Sequence, residues 1–307
     1  MPLQTLPRAP DVDENLKLIF NVIESGKCLP FIGAGACTSF VGRDGKSVAG
    51  LPTGRSLSKK LAERCGYSNG KDDDLLKVAE YFVYSHSGSR DEMNSLIQKE
   101  IQIGCEPRPI HTVLAQLPQI KIVFTTNYDD LFEIAMRNYR PRRSIHFHDP
   151  TNLETAKFRH SYEIEDGEII LYKMHGSIEH PYSLTITESD YIHYLTYLKD
   201  KDRGIPDFFS YQIPDKTLLF LGYSLQDWNF KVLWEGIIAR YDIFERLKTS
   251  YALMKNPSPS DLKYWSRKNI DIIDMDLTDF AIKLAEHRNL EIPQLGIEKK
   301  PAGGQIP

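Results

Sequence analysis

The sequence predicts an α/β protein whose parallel sheet is covered by helices on both faces. Three observations lead there: six short apolar runs of strand composition, helical stripes between them, and glycine or polar residues just past several of the runs. Strands that alternate with helices need crossover connections, and crossovers place helices on both faces of a parallel sheet.

The elements follow in order. Leu16, Ile19, Phe20 and Ile23 fall at i, i+3, i+4 and i+7, one apolar helical stripe, and Gly26 stands where that helix would stop. Next comes CLPFIGAG, an apolar run that breaks at paired glycines and so reads as a buried strand leaving into a tight turn. The stretch up to Gly54, with Gly42, Gly45 and Gly50, reads as a mobile loop over whatever the turn binds. KIVFTT is the next strand and YDDLFEIAMR the helix after it. EIILYKMHG, KTLLFLGYS, SYALMK and NIDIID are four further strands. Phe230, Leu233, Trp234, Ile237 and Ile238 mark a helical stripe between them, assigned to core rather than to an oligomer surface. Helix-rich segments at about 55–117 and 178–212 interrupt the alternation and are expected to form a smaller helical subdomain against a Rossmann-like sheet. One domain is expected over 1–290, followed by a disordered tail over 291–307, which lacks periodicity.

Bulk properties narrow the function. The 307 residues are 41% hydrophobic and 26% charged, an ordinary globular composition. A formal net charge of −4 argues against the broad basic footprint that holds nucleic acid through phosphate contacts. There is no apolar stretch long enough to span a membrane. The first residues, MPLQTLPRAPDVDEN, lack the basic end and apolar run of a secretory signal, so a cytoplasmic protein is expected. Cys28, Cys37, Cys65 and Cys105 never form a C-x-x-C pair, which indicates reduced thiols rather than a zinc ribbon or a disulfide framework.

In an open parallel sheet, ligands bind beyond the carboxyl ends of the strands. Four such ends carry small or polar groups: Gly33-Ala34-Gly35, Thr125-Thr126-Asn127-Tyr128-Asp129, His175-Gly176-Ser177, and Gly222-Tyr223-Ser224. Glycines without Cβ let the backbone approach a pyrophosphate and aim N–H groups at its oxygens. The full dinucleotide fingerprint is absent, because Thr38 stands at its third glycine and no acid follows in the TGRSL stretch to take a ribose hydroxyl. Each end also has a purely structural use. Asn127 or Ser224 would cap a helix, Asp129 would serve a helical first turn, and His175 would be a satisfied core residue.

The order GAG, TTNYD, HGS and GYS along one chain resembles the sirtuin family, which carries GAG-x-S, T-Q-N-I-D, H-G and G-T-S in that order. The resemblance runs from about Leu29 to Met254. It implies that Gly33, Ala34 and Gly35 hold the pyrophosphate of NAD, and that Asn127 positions the nicotinamide ribose and the attacking group. It further implies that Asp129 belongs to the same motif, His175 is the catalytic histidine, and Gly222 with Ser224 meets the adenosine half. Cys37 precedes Thr38 and Ser39 where the family has its serine, which leaves open the hydroxyl that contacts the cofactor.

Sirtuin deacylases also carry a zinc module with two C-x-x-C pairs, and this chain has neither. His146, His148 and Asp149 form an H-x-H-D that reads as a plain loop, and no metal is expected. The resemblance is therefore closest to bacterial anti-phage sirtuin-like domains that destroy NAD. It implies an NAD glycohydrolase that yields nicotinamide and ADP-ribose, acting as a homo-oligomer with a HerA-type ATPase or, second, a short Argonaute. The residue types suit that reaction. Neutral nicotinamide leaves without a strong acid, an amide holds water and ribose hydroxyls, and an imidazole takes the proton. The competing readings are a sensor that binds NAD or ADP-ribose without turnover, and an NAD-dependent deacylase.

Overall fold

The structure is a computed structural model that describes residues 12–299 except 43, 69–70, 86–88, 102–103, 148–161, 198–199, 201–203, 226–229, 232–233 and 239–247. Helix α1 (Val12–Glu24) buries Leu16, Ile19, Phe20 and Ile23, the predicted stripe. The chain leaves it through Gly26 at φ +66°. Seven strands then form one parallel sheet: β1 (Cys28–Ile32), β4 (Ile122–Thr125), β5 (Arg143–Phe147), β6 (Ile169–Lys173), β7 (Thr217–Leu221), β8 (Ser250–Met254) and β9 (Ile270–Asp274), in the order β5-β6-β4-β1-β7-β8-β9. The sheet grows from β1 through β4 to one side, and β7 then returns to the other side of β1. This reversal opens a crevice at the carboxyl ends of β1, β4 and β7.

The two faces follow from the period of a strand. Cys28 and Ile32 pack under α1, α5 (Pro109–Gln116), α6 (Leu131–Tyr139) and α10 (Leu277–Arg288). Leu29 and Phe31 point the other way, into a core with Phe209 of the short α8 (Asp207–Ser210), Phe230, Trp234 and Trp265 of α9 (Pro259–Ser266). Of the stripe assigned to core, Phe230, Trp234 and Ile238 are buried. Leu233 and the Ile237 side chain lie outside the described residues. A third core joins α2 (Gly54–Cys65), α3 (Leu75–Tyr84) and α4 (Arg90–Ile101) beside the sheet. Helix α7 (Glu188–Tyr197) docks onto α3 and α4, where Ser189 Oγ donates to Glu80 at 2.6 Å and Arg90 meets Asp190 at 2.7 Å. The architecture is thus α/β with a parallel Rossmann-like sheet and a smaller helical subdomain.

Three local expectations are corrected. The H-x-H-D segment is not a plain loop: His146 lies in β5, an edge strand too exposed to show the apolar run that marks a buried one. His148 and Asp149 lie outside the described residues. The stretch before Gly54 contains the antiparallel pair β2 (Phe40–Val41) and β3 (Ser47–Val48), too short for periodicity to register. The tail is folded over its first part, because Ile292 and Leu295 are buried and Ile292 bridges Ile297.

Candidate functional site

Beyond β1 the chain enters a 3-10 turn at Ala34–Cys37, with Gly33 before it in extended conformation. Gly33 N–H donates to Leu221 O and Gly35 N–H to Gly222 O, each at 2.8 Å. The turn after β1 is thereby locked onto the end of β7. Gly222 holds φ +76°, and a Cβ there would lie 2.2 Å from Ala36 N. The Gly33 and Gly35 N–H groups thus donate to carbonyls within the protein, while Ala34 between them lines the cleft described below.

Asn127 follows β4, whose Thr125 Oγ1 donates to Ile32 O at 2.9 Å and accepts from Asn127 N–H at 3.0 Å. The Asn127 amide donates to Gly33 O at 3.2 Å and to Cys37 Sγ at 3.1 Å. Its Oδ1 is buried with no hydrogen-bond partner. Asn127 caps no helix. Asp129 takes that work, accepting from Leu131 N–H at 3.0 Å, while its other oxygen accepts from the Cys37 thiol at 3.2 Å. Burial first, and the Asp129 charge second, push the Cys37 thiol far above its ordinary value, so it stays protonated and donates. One network therefore joins Gly33, Cys37, Asn127 and Asp129.

His175 stands outside that network. It lies two residues past Lys173, which pairs with Thr125 across β4 and β6, so it shares the sheet edge with Asn127. The ring is buried between Tyr191 and Tyr194, with Nδ1 at 3.2 Å from the Tyr191 hydroxyl. Gly176 next to it has φ +83°, and a Cβ there would meet Ser183 O at 2.1 Å. The HGS turn thus needs its glycine.

A cleft of about 1420 Å³ opens over these strand ends, larger than ordinary small-molecule pockets and roomy enough for a dinucleotide. Of the predicted residues, Ala34, Gly35, Gly222 and Ser224 line it, while Gly33, Asn127, Asp129 and His175 do not; Thr126, the neighbour of Asn127, is in its wall. Tyr223 also lines it and donates to Ile32 O at 3.1 Å.

Three residues at or behind the cleft were not anticipated from sequence. Arg108 lines it. His111, on α5, sits 4.0 Å from Cys37 Sγ and accepts from Arg108 N–H at 3.2 Å. Burial pushes its imidazole down to about 4, so it is neutral near pH 7. Lys173 is fully buried, and its ammonium donates to Tyr128 O at 3.2 Å, Asp129 O at 2.5 Å and Glu133 Oε1 at 2.5 Å. No group of three metal-ligating side chains occurs among the described residues. No helix among them is long and apolar enough to cross a membrane.

A family profile described as SIR2-like domain matches residues 121–273. The chain is similar to the NAD(+) hydrolase ThsA of Bacillus cereus (strain MSX-D12), 27% identical over 82% of this chain and 49% of that protein. It is similar also to the NAD(+) hydrolase ThsA of Enterococcus faecium, 28% identical over 85% of this chain and 55% of that protein. Defense-associated sirtuin 2 of Bacillus subtilis is 25% identical over 86% of this chain and 24% of its own length. The chain spans about half the length of the first two relatives and a quarter of the third. In its motif order, its parallel sheet and this match, the chain is similar to SIR2-like domains.

Proposed function

We propose that this chain hydrolyses NAD at the bond between nicotinamide and ribose, releasing nicotinamide and ADP-ribose, as an anti-phage effector that depletes NAD. The observation that carries the proposal is the similarity, over four fifths of the chain, to proteins named NAD(+) hydrolase. The cleft and the network behind it support the reading. The C–N electron pair leaves with neutral nicotinamide, positive charge builds on the ribose, and a water oxygen forms the new bond to the anomeric carbon. Asn127 is oriented for that task, because two hydrogen bonds hold its Nδ2 and leave Oδ1 to accept from water or a ribose hydroxyl. His175 takes the proton that water gives up. Ala34 and Gly35 shape the floor over Gly33 and with it hold the pyrophosphate, Asp129 steadies Cys37 and through it Asn127, and Gly222 with Ser224 meets the adenosine half.

By the same reading the protein acts in the cytoplasm as a homo-oligomer, with a HerA-type ATPase as its partner, because toxic NAD loss must be held off until needed. Co-purification with the product of a neighbouring gene tests this, and a monomer fully active alone counts against it.

The activity test incubates the protein, alone and with that neighbour, with NAD and identifies products by mass spectrometry. Nicotinamide and ADP-ribose are expected, and Asn127→Ala or His175→Ala should slow their release on the order of 10² or more. Variants as fast as the parent would remove both residues from the chemistry. Binding of NAD without any release, partner present, would make the chain a sensor.

A further inference from the structure

We infer that Arg108 is the anion seat of the cleft and, on the NAD reading above, takes the diphosphate of the dinucleotide. Arg108 is only 3% exposed, yet it lines the cleft. Its Nη2 donates to Ala49 O at 2.6 Å and its guanidinium lies 5.5 Å from the Phe40 ring centroid, which together fix the plane of the fork. Its Nε is buried and has no hydrogen-bond partner among the described residues.

The charge is as isolated as the donor. Of the other cations of the cleft, Arg55, Lys77 and Lys255 face Asp73 at 3.5 Å, Asp74 at 3.2 Å and Asp276 at 3.7 Å, and Lys71 also lines it. Arg108 has no carboxylate within ion-pair distance among the described residues. Asp129, whose charge acts on the same His111, is committed to the Cys37 thiol and the Leu131 N–H. A buried guanidinium without a counter-charge is costly, and the cost falls when an anion arrives.

Two further features point to a phosphate. Arg108 immediately precedes the eight-residue helix α5, whose Pro109 and Ile110 also line the cleft, so the positive end of the helix faces the same space. The Gly33 and Gly35 N–H groups donate to Leu221 O and Gly222 O at the end of β7, so these two N–H groups do not serve a diphosphate, and Arg108 adds a charged donor beside the turn. A guanidinium fork suits phosphate oxygens better than an ammonium does.

Calorimetry on the full chain tests the site with ADP-ribose, inorganic pyrophosphate and adenosine. Arg108→Gln is expected to weaken ADP-ribose and pyrophosphate at least tenfold and to leave adenosine unchanged, with Arg108→Lys in between. Thermal unfolding supplies a second readout: removing an uncompensated charge should leave the unfolding temperature level or raise it. If Arg108→Gln binds both anions as the parent does, or the parent binds neither, the site is overturned. If the parent binds ADP-ribose and the variant binds it equally, Arg108 fails while the NAD reading stands. If the parent binds pyrophosphate through Arg108 but not ADP-ribose or NAD, the anion site stands and the NAD reading fails. Should Arg108→Gln not fold, Arg108→Lys decides: pyrophosphate binding undiminished by loss of the fork overturns the assignment.

Discussion

Gly222 carries two requirements at one position. Its φ of +76° is unfavourable for any residue with a Cβ, and that atom would sit 2.2 Å from Ala36 N and 2.9 Å from Gly33 O. Gly222→Ala must therefore push the turn after β7 away from the turn after β1 and break the bonds from Gly33 and Gly35. A loss of about 1–3 kcal/mol in stability is expected from the backbone conformation alone, together with weaker ADP-ribose binding. Thermal unfolding and calorimetry read the two effects, and a variant that unfolds and binds like the parent would show that the two turns need not interlock. At this scale the sequence displays what is local. Small or polar residues just past an apolar run can be found by reading along the chain, so Gly33, Gly35, Asn127, Gly222 and Ser224 stand out. Arg108 and His111 precede or begin a helix far from those runs in sequence. Only the docking of α5 beside β1 brings His111 to Cys37, and no spacing rule announces it.

Between elements, Lys173 does for the β4–α6 connection what the glycines do for the β1 turn. It rises from the end of β6, and its three acceptors are the carbonyls of Tyr128 and Asp129 and the carboxylate of Glu133 on α6. The ion pair is buried, with side chains 0% and 7% exposed. Removing one charge leaves the other unpaired, so Lys173→Met should cost about 3–5 kcal/mol. Lys173→Met with Glu133→Leu should regain most of that loss, because a buried pair replaced by apolar groups is often neutral. The two carbonyls still lose their donor. On the proposed function, NAD hydrolysis is therefore expected to stay depressed in the double variant, with kcat affected more than KM, because Asn127 sits one residue before the loosened segment. Urea melts and steady-state rates separate the outcomes, and recovery of both stability and kcat would reduce Lys173 to a charge partner. Elements differ in legibility for a related reason. Strands buried on both faces, such as IVFT and TLLFL, are continuous apolar runs, whereas the edge strand RSIHF has one neighbour and a half-exposed surface. Its composition is that of a loop because one side of it has no sheet to face.

Across the whole molecule, the polar residues behind the cleft tie folding to pH. Burial pushes His111 down to about 4, from the ordinary 6.5 it regains when the chain unfolds. Between those values the unfolded chain binds a proton that the folded chain refuses, so stability rises with pH through the window and falls as pH drops from about 6.5 towards 4. One such group contributes a slope of up to about 1.4 kcal/mol per pH unit. His146, also pushed down to about 4 by burial, adds to the slope in the same direction. Most carboxylates titrate lower, so the interval from about pH 5.5 to 6.5 belongs mainly to the histidines. Urea melts across that interval should show stability climbing with pH. His111→Asn keeps an acceptor near Nδ1 for the Arg108 N–H and removes the titration, so its slope should be shallower by about one group. An unchanged slope would mean that His111 accepts its proton in the folded state, where it would stand beside the Arg108 charge. The same protonation would disturb Cys37, which lies 4.0 Å from His111 Nε2 and accepts from the Asn127 amide. On the proposed function, acid loss of NAD hydrolysis is therefore expected to precede global unfolding in the parent and to shift to lower pH in His111→Asn.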